Sequence, residues 1–347
     1  MNPAPIQPTA TRMFSEIGEA AAAIARQREA NAPTLATLAR DLRATPPRFV
    51  VTAARGSSDN AATYAKYLIE TQLGLATASA APSIHSVYAA QPNFADALFL
   101  AISQSGRSPD LLRQAEAAKR SGARVVALVN VADAPLAQLA DTVLPLHAGP
   151  ELSVAATKSY LCSLAAIADL VAHWSADDAL DRALGALPRE LGGADAFDWS
   201  ALVGDLADAR NLFVVGRGLG LSAAQEAALK LKETCGLHAE AFSAAEVQHG
   251  PMALVERDFP VLFFTQDDDT LASTLDVAAR FRERGARVRI ARADTHAGDL
   301  PFAPTPHPAC APIAAVHAFY YAANALAVRR GRDPDVPPHL RKVTETV

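Results

Sequence analysis

Residues 48–71 read RFVVTAARGSSDNAATYAKYLIET, and residues 211–234 read NLFVVGRGLGLSAAQEAALKLKET. Each stretch opens on a β-branched apolar run, turns at Arg-Gly and continues into an alanine-rich segment. A short, continuous apolar run bounded by a glycine turn reads as a strand buried on both faces. The alanine-rich segment that follows reads as a helix. Setting Arg55-Gly56 on Arg217-Gly218 displaces the chain by 162 residues, and the same displacement sets Ser103-Gln104 on Thr265-Gln266. At 163 residues, GARVVAL from Gly122 meets GARVRIA from Gly285. Three ordered matches at 162–163 residues predict two copies of one α/β unit, each a parallel sheet with helices on both faces.

The rest of the composition agrees. The 347 residues suffice for two domains, and 50% hydrophobic with 20% charged residues is a globular balance. A net charge of −5, with no Lys/Arg-rich run, argues against nucleic acid or an anionic membrane as partner. Cys162, Cys235 and Cys310 are odd in number and show no C-x-x-C, which argues against disulfides and thiolate metal sites and fits a cytoplasmic setting. MNPAPIQPTATRMFSE lacks the apolar core of a secretory signal. The longest apolar run, Pro312 to Val328, is short for a membrane span and contains His317 and Asn324. It predicts a buried helix opening at Pro312. The expected boundaries are a helical N-terminal segment (1–45), a first α/β domain (46–185), a second (200–335) and a tail (336–347).

The two copies have diverged. Copy one ends its strands in Gly56-Ser57-Ser58 and Ser103-Gln104-Ser105-Gly106. Copy two has Gly218-Leu219-Gly220 and Thr265-Gln266-Asp267-Asp268. An anion site is therefore expected in copy one. A helix N-terminus offers N–H groups and partial positive charge, and serine hydroxyls with a close glycine complete a phosphate cradle. Ser103, Gln104, Ser105 and Ser108 are the candidate donors. For one such turn on its own, a capped helix start is the better account. The second serine turn at RGSSD favours the cradle, because strand C-termini of a parallel sheet gather at one edge.

Copy two carries different chemistry. Glu226, Lys230 and Glu233 fall at i, i+4 and i+7, on one face of a helix, with Lys232 pointing elsewhere. Spacing alone fits a solvated salt-bridge stripe. The surrounding leucines and alanines point instead to a buried cluster and a tuned general base. His249 lies in a Gln-His-Gly-Pro turn with no second ligand at metal spacing. His238 and Glu240 are read as structural. At the end of the chain, PPHLRKVTETV sets Lys342 between apolar Leu340 and Val343.

Together, ISQSGRSPD, ELSVAATKSY, ALKLKETCGLHAEAFSAAEVQHGPMAL and LRKVT resemble the tandem sugar-isomerase (SIS) half of glutamine–fructose-6-phosphate aminotransferase, over roughly residues 30 to 347. The resemblance implies two tandem SIS domains, flavodoxin-like with parallel sheets, with an N-terminal helix and a C-terminal tail over the active site. By position it makes Ser103, Gln104, Ser105 and Ser108 the phosphate loop, and Gly56, Ser57 and Ser58 the first substrate turn. Val154 becomes a backbone contact to the sugar. Glu233 becomes the base moving a proton between C1 and C2, with Lys230 and Glu226 beside it. His249 assists ring opening from the other subunit of a homodimer. Lys342 meets the open-chain carbonyl, with Arg341 beside it in substrate binding, and Leu340 and Val343 hold the tail. No metal or redox cofactor is implied.

The departures from the family matter as well. The aminotransferase carries an N-terminal glutaminase domain with a nucleophilic cysteine, whereas the first cysteine here is Cys162, so no glutamine-derived ammonia is expected. Arg55 replaces a cysteine and Arg107 an acidic residue, which should make the site more basic. The expected reaction is isomerising deamination of glucosamine 6-phosphate. A galactosamine-6-phosphate deaminase, a fructosamine-6-phosphate deglycase and a non-catalytic sugar-phosphate sensor are the alternatives.

Overall fold

A computed structural model of the chain describes residues 6–193, 196–294, 296 and 298–342. The chain divides into two compact units. Of the described residues, one holds 22–150, 158–185, Arg341 and Lys342, and the other holds 6–21, Glu151–Thr157 and those between Ala186 and Leu340.

The first unit is built on five parallel strands: β1 (Phe49–Ala53), β2 (Thr77–Ser79), β3 (Ala97–Ser103), β4 (Arg124–Val129) and β5 (Thr142–Pro145), in the order β2-β1-β3-β4-β5. Every residue of β3 is buried, as its unbroken apolar run requires of a strand covered on both faces. The register sets Ala53 opposite Ala101, so β1 and β3 end side by side. The strand order reverses between these two strands, which is where open parallel sheets bind ligands. The Ser57–Leu73 and Lys158–Ser175 helices pack together in this unit. The Ala20–Ala44 helix docks by side-chain bonds, Gln27 Nε2 to the Cys162 carbonyl (3.0 Å) and Asn31 Nδ2 to the Pro145 carbonyl (2.8 Å).

The second unit repeats the plan. Its strands are β6 (Asn211–Gly216), β7 (His238–Ser243), β8 (Pro260–Phe264), β9 (Arg287–Arg292) and β10 (Leu300–Pro301), all parallel, in the order β10-β9-β8-β6-β7. Read from the other edge, that is the order of the first sheet. The internal repeat is therefore a repeat of topology, and the sequence displacement located the strands correctly.

The Gly220–Cys235 helix packs on the Ala311–Arg329 helix. The latter has a proline in its first turn, as expected. The stretch Pro308–Arg329 is long and apolar enough to cross a membrane, but 83% of its apolar window is buried inside the protein. It is the core helix that the interruptions at His317 and Asn324 predict. Asn324 accepts from the Thr11 hydroxyl (2.7 Å) and donates to the Pro8 carbonyl (2.8 Å), so the polar interruption is satisfied.

His317 is 1% exposed, its ring edge-on to Tyr321, and its Nδ1 has no partner among the described residues. Burial pushes its imidazole down to about 4, with the Ile17 carbonyl opposing. Between the ordinary 6.5 and about 4, the unfolded chain takes up a proton that the folded chain refuses. Stability is full above this window and falls as pH drops through it, by about 3 kcal/mol at the bottom. His317→Phe should flatten that slope. Urea unfolding at pH 7.5 and pH 5 checks it, and equal slopes for variant and parent would remove His317 as the cause.

Candidate active site

The serine turns form at the neighbouring ends of β1 and β3. Gly56 adopts φ +59° and ψ −132°, and starts the Ser57–Leu73 helix with Ser57 and Ser58 half-buried in its first turn. After β3, the Ser103 hydroxyl accepts from the Gly106 N–H (3.0 Å) and closes the second turn. Gly106 has φ +62°, and a Cβ there would lie 2.7 Å from that of Ala134, so only glycine fits. Gln104, Ser105 and Ser108 are half-buried. Ser108 stands at the cap position of the Pro109–Arg120 helix, yet its hydroxyl makes no capping bond. Capping alone therefore does not explain this serine. The structure brings Gly56, Ser57, Ser58, Ser103, Gln104, Ser105 and Ser108 to one edge of one sheet.

Arg55 corrects an expectation. Its Nε and Nη2 both reach Asp110 Oδ2, at 3.0 and 2.7 Å, and the Asp110 side chain is fully buried. The guanidinium is neutralised by that carboxylate and ties the first turn to the start of the Pro109–Arg120 helix. Arg55 adds no net charge to the cradle. Arg107 is exposed.

The corresponding edge of the second sheet is filled by protein. Gln266, 3% exposed, donates from Nε2 to the Arg217 carbonyl (2.8 Å) and to Thr270 Oγ1 (2.9 Å). A Cβ on Gly220 would lie 2.5 Å from Gln266 Oε1. The glycines of this turn admit a glutamine side chain where copy one presents serines.

The second unit carries the charged cluster. Glu226 and Lys230 have fully buried side chains, and Glu233 is 22% exposed. Lys230 Nζ lies 2.5 Å from Glu233 Oε2 and 3.4 Å from Glu226 Oε1. Tyr320 donates from its hydroxyl to Glu226 Oε1 at 2.8 Å. The solvated-stripe reading fails, while Lys232 is exposed as expected. Burial alone would depress the Lys230 ammonium. The carboxylates of Glu226, Glu233 and Glu151 outweigh it and raise Lys230 above its ordinary value. The cluster is a buried cation holding one carboxylate inside and one at the surface. Glu233 is the carboxylate of this cluster that solvent reaches.

Two members of this arrangement escaped the sequence reading. Tyr320 sits in an apolar run and reads as core. Glu151 opens the ELSVAATK segment, and only the fold brings its charge to bear on Lys230. Val154, in the same segment, donates its N–H to the Asp335 carbonyl (3.1 Å). His249 follows a short 3-10 turn, Glu246–Gln248, and is exposed. Its ring makes no hydrogen bond or ion pair among the described residues. His238 and Glu240 lie exposed on β7.

The tail departs from expectation. Leu340 is 43% exposed, so it does not anchor the segment, and Val343 lies outside the described residues. Lys342 is half-buried and Arg341 exposed, and both belong with the first unit.

Comparison with known proteins fits this geometry. The SIS domain family matches twice, over residues 46–172 and 205–329. A glutamine–fructose-6-phosphate aminotransferase (isomerizing) of Thermus thermophilus is 36% identical over 310 residues, covering 83% of this chain and 50% of its own. The chain thus spans about half the length of the curated relatives it matches. A Silicibacter pomeroyi DSS-3 crystal structure, described as a candidate phosphosugar isomerase, superposes with a TM-score of 0.89 at 44% identity. It covers 94% of this chain and all of its own. The C-terminal domain of the Francisella tularensis glucosamine–fructose-6-phosphate aminotransferase gives 0.82 at 25%, covering 94% and 98%. With both copies matched and each sheet in the same strand order, the chain belongs to the SIS domain family, as a tandem pair homologous to the isomerase domain of glutamine–fructose-6-phosphate aminotransferase.

Proposed function

We propose that this chain is a phosphosugar isomerase that converts glucosamine 6-phosphate and water into fructose 6-phosphate and ammonia. The observation that carries this reading is the Glu226–Lys230–Glu233 cluster, a protonated lysine pinning a partly exposed carboxylate. The serine turns of the first unit take the phosphate. With the sugar open, Glu233 removes the proton from C2, giving the enolamine, and returns it to C1. C1 is reduced as C2 is oxidised, so no outside electron acceptor enters. Protonation of the C1 oxygen leaves a hydroxymethyl group beside a C2 imine, and water adds to that carbon and releases ammonia.

His249 assists ring opening, supplied in a homodimer as His249 of the partner subunit. Its exposed ring, without a partner among the described residues of its own chain, supports that role. Lys342 meets the open-chain carbonyl, with Arg341 beside it. The ammonia-releasing direction draws only on water and these groups.

Purified protein should release ammonia from glucosamine 6-phosphate without glutamine, with fructose 6-phosphate appearing in equal amount. Galactosamine 6-phosphate is run alongside. Release from that sugar alone moves the activity to the other C4 configuration, and no release from either sinks the deaminase reading.

A further inference from the structure

Residues Glu151–Thr157 have no regular secondary structure, and carboxylates hold them on several sides. Glu16 accepts from the Leu152 N–H, and from the Ser153 N–H at 3.3 Å. The Ser153 hydroxyl donates to Asp335 Oδ1 (2.9 Å), and the Val154 N–H donates to the Asp335 carbonyl (3.1 Å). The Thr157 N–H donates to Glu151 Oε1 (3.0 Å), and Glu151 is one of the carboxylates that raise Lys230. The Asp335 carboxylate also accepts from the Arg12 and Met13 N–H groups, each at 2.8 Å, in the first turn of the Arg12–Gly18 helix. Partial positive charge at a helix start favours a carboxylate there. One side chain thus joins the N-terminal helix, the loop containing Val154 and the segment that leads on to Lys342. Buried Pro334 and Pro337 flank it.

We propose that Asp335 is a positioning residue for sugar-phosphate recognition: it fixes the Ser153–Val154 backbone so that the loop meets the sugar rather than the phosphate. This rests on the reading above that the Val154 loop contacts the sugar.

Asp335→Asn tests it. The amide keeps the shape but turns one acceptor into a donor, so it cannot accept from both helix N–H groups. Calorimetric binding of fructose 6-phosphate and of inorganic phosphate is measured for wild type and variant, with urea midpoints as the control for folding. Asp335→Asn should weaken fructose 6-phosphate about tenfold to a hundredfold while inorganic phosphate stays within about twofold. Ser153→Ala, which removes the hydroxyl bond to Asp335 and leaves the Asp335 bonds to the Arg12 and Met13 N–H groups, should move the same ratio less, and it decides the question if Asp335→Asn fails to fold. A loss shared by both ligands, no loss for either, or a wild type that does not prefer the sugar phosphate overturns the proposal. Ammonia release by the same wild-type preparation is scored separately. Its absence would sink the deaminase reading, while the ratio of the two affinities still decides the role of Asp335.

Discussion

Glu233→Gln should lower isomerising turnover by roughly a hundredfold to ten-thousandfold, the range a positioned general base supplies. Glutamine retains an oxygen that accepts from the Lys230 ammonium, so the 2.5 Å contact has a replacement and the fold should survive. It cannot take a proton from carbon. The variant should therefore bind fructose 6-phosphate much as wild type does, with kcat falling far more than KM rises. In deuterated water, wild type should exchange the C2 proton of its substrate, and the variant should not. Turnover within tenfold of wild type would remove Glu233 from the chemistry. Loss of sugar-phosphate binding together with activity would mean a folding role instead.

The sequence makes the fold legible because its central strands are buried on both faces. ALFLAIS and FPVLFF have no polar interruption, and the Arg-Gly turns break the chain at the same point in each copy. The reversal of strand order between β1 and β3 then places both serine turns at one edge. Pairings across long stretches of chain are what local pattern does not carry. Arg55 reads as a spare charge until Asp110, 55 residues on, is seen to neutralise it. Gln266 matches Gln104 by position, but that it fills the turn made by Gly218 and Gly220 shows only in the fold. Tyr320 meets Glu226 across 94 residues, and Ser153 meets Asp335 across 182. The helical spacing of Glu226, Lys230 and Glu233 could be read without help, since i+4 and i+7 share a face in any helix. Whether that face was wet depended on the Ala311–Arg329 helix packing against it. Leu340 shows the converse, an apolar residue that suggests an anchor and lies 43% exposed.

The largest stability effect should come from Lys230→Met. Removing one partner of a buried ion pair leaves an uncompensated charge, at a cost of about 3–5 kcal/mol. Glu226 is the group left behind, with its side chain fully buried and Tyr320 donating to Oε1. A neutral hydroxyl donor such as Tyr320 does not replace an ammonium at 3.4 Å. Methionine fills most of the lysine stem, so little of the loss should come from a cavity. Adding Glu226→Gln to Lys230→Met should restore much of the stability, because the amide is neutral and its oxygen still accepts from Tyr320. Deamination should stay lost in the double variant, since Glu233 has no cation beside it. Urea midpoints and ammonia release, measured on wild type, both single variants and the double, separate these contributions. A double variant no more stable than Lys230→Met would mean that the stranded Glu226 charge is not what destabilises the single. Recovery of activity along with stability would mean that Lys230 serves the fold alone, and that Glu233 works without the ammonium it touches.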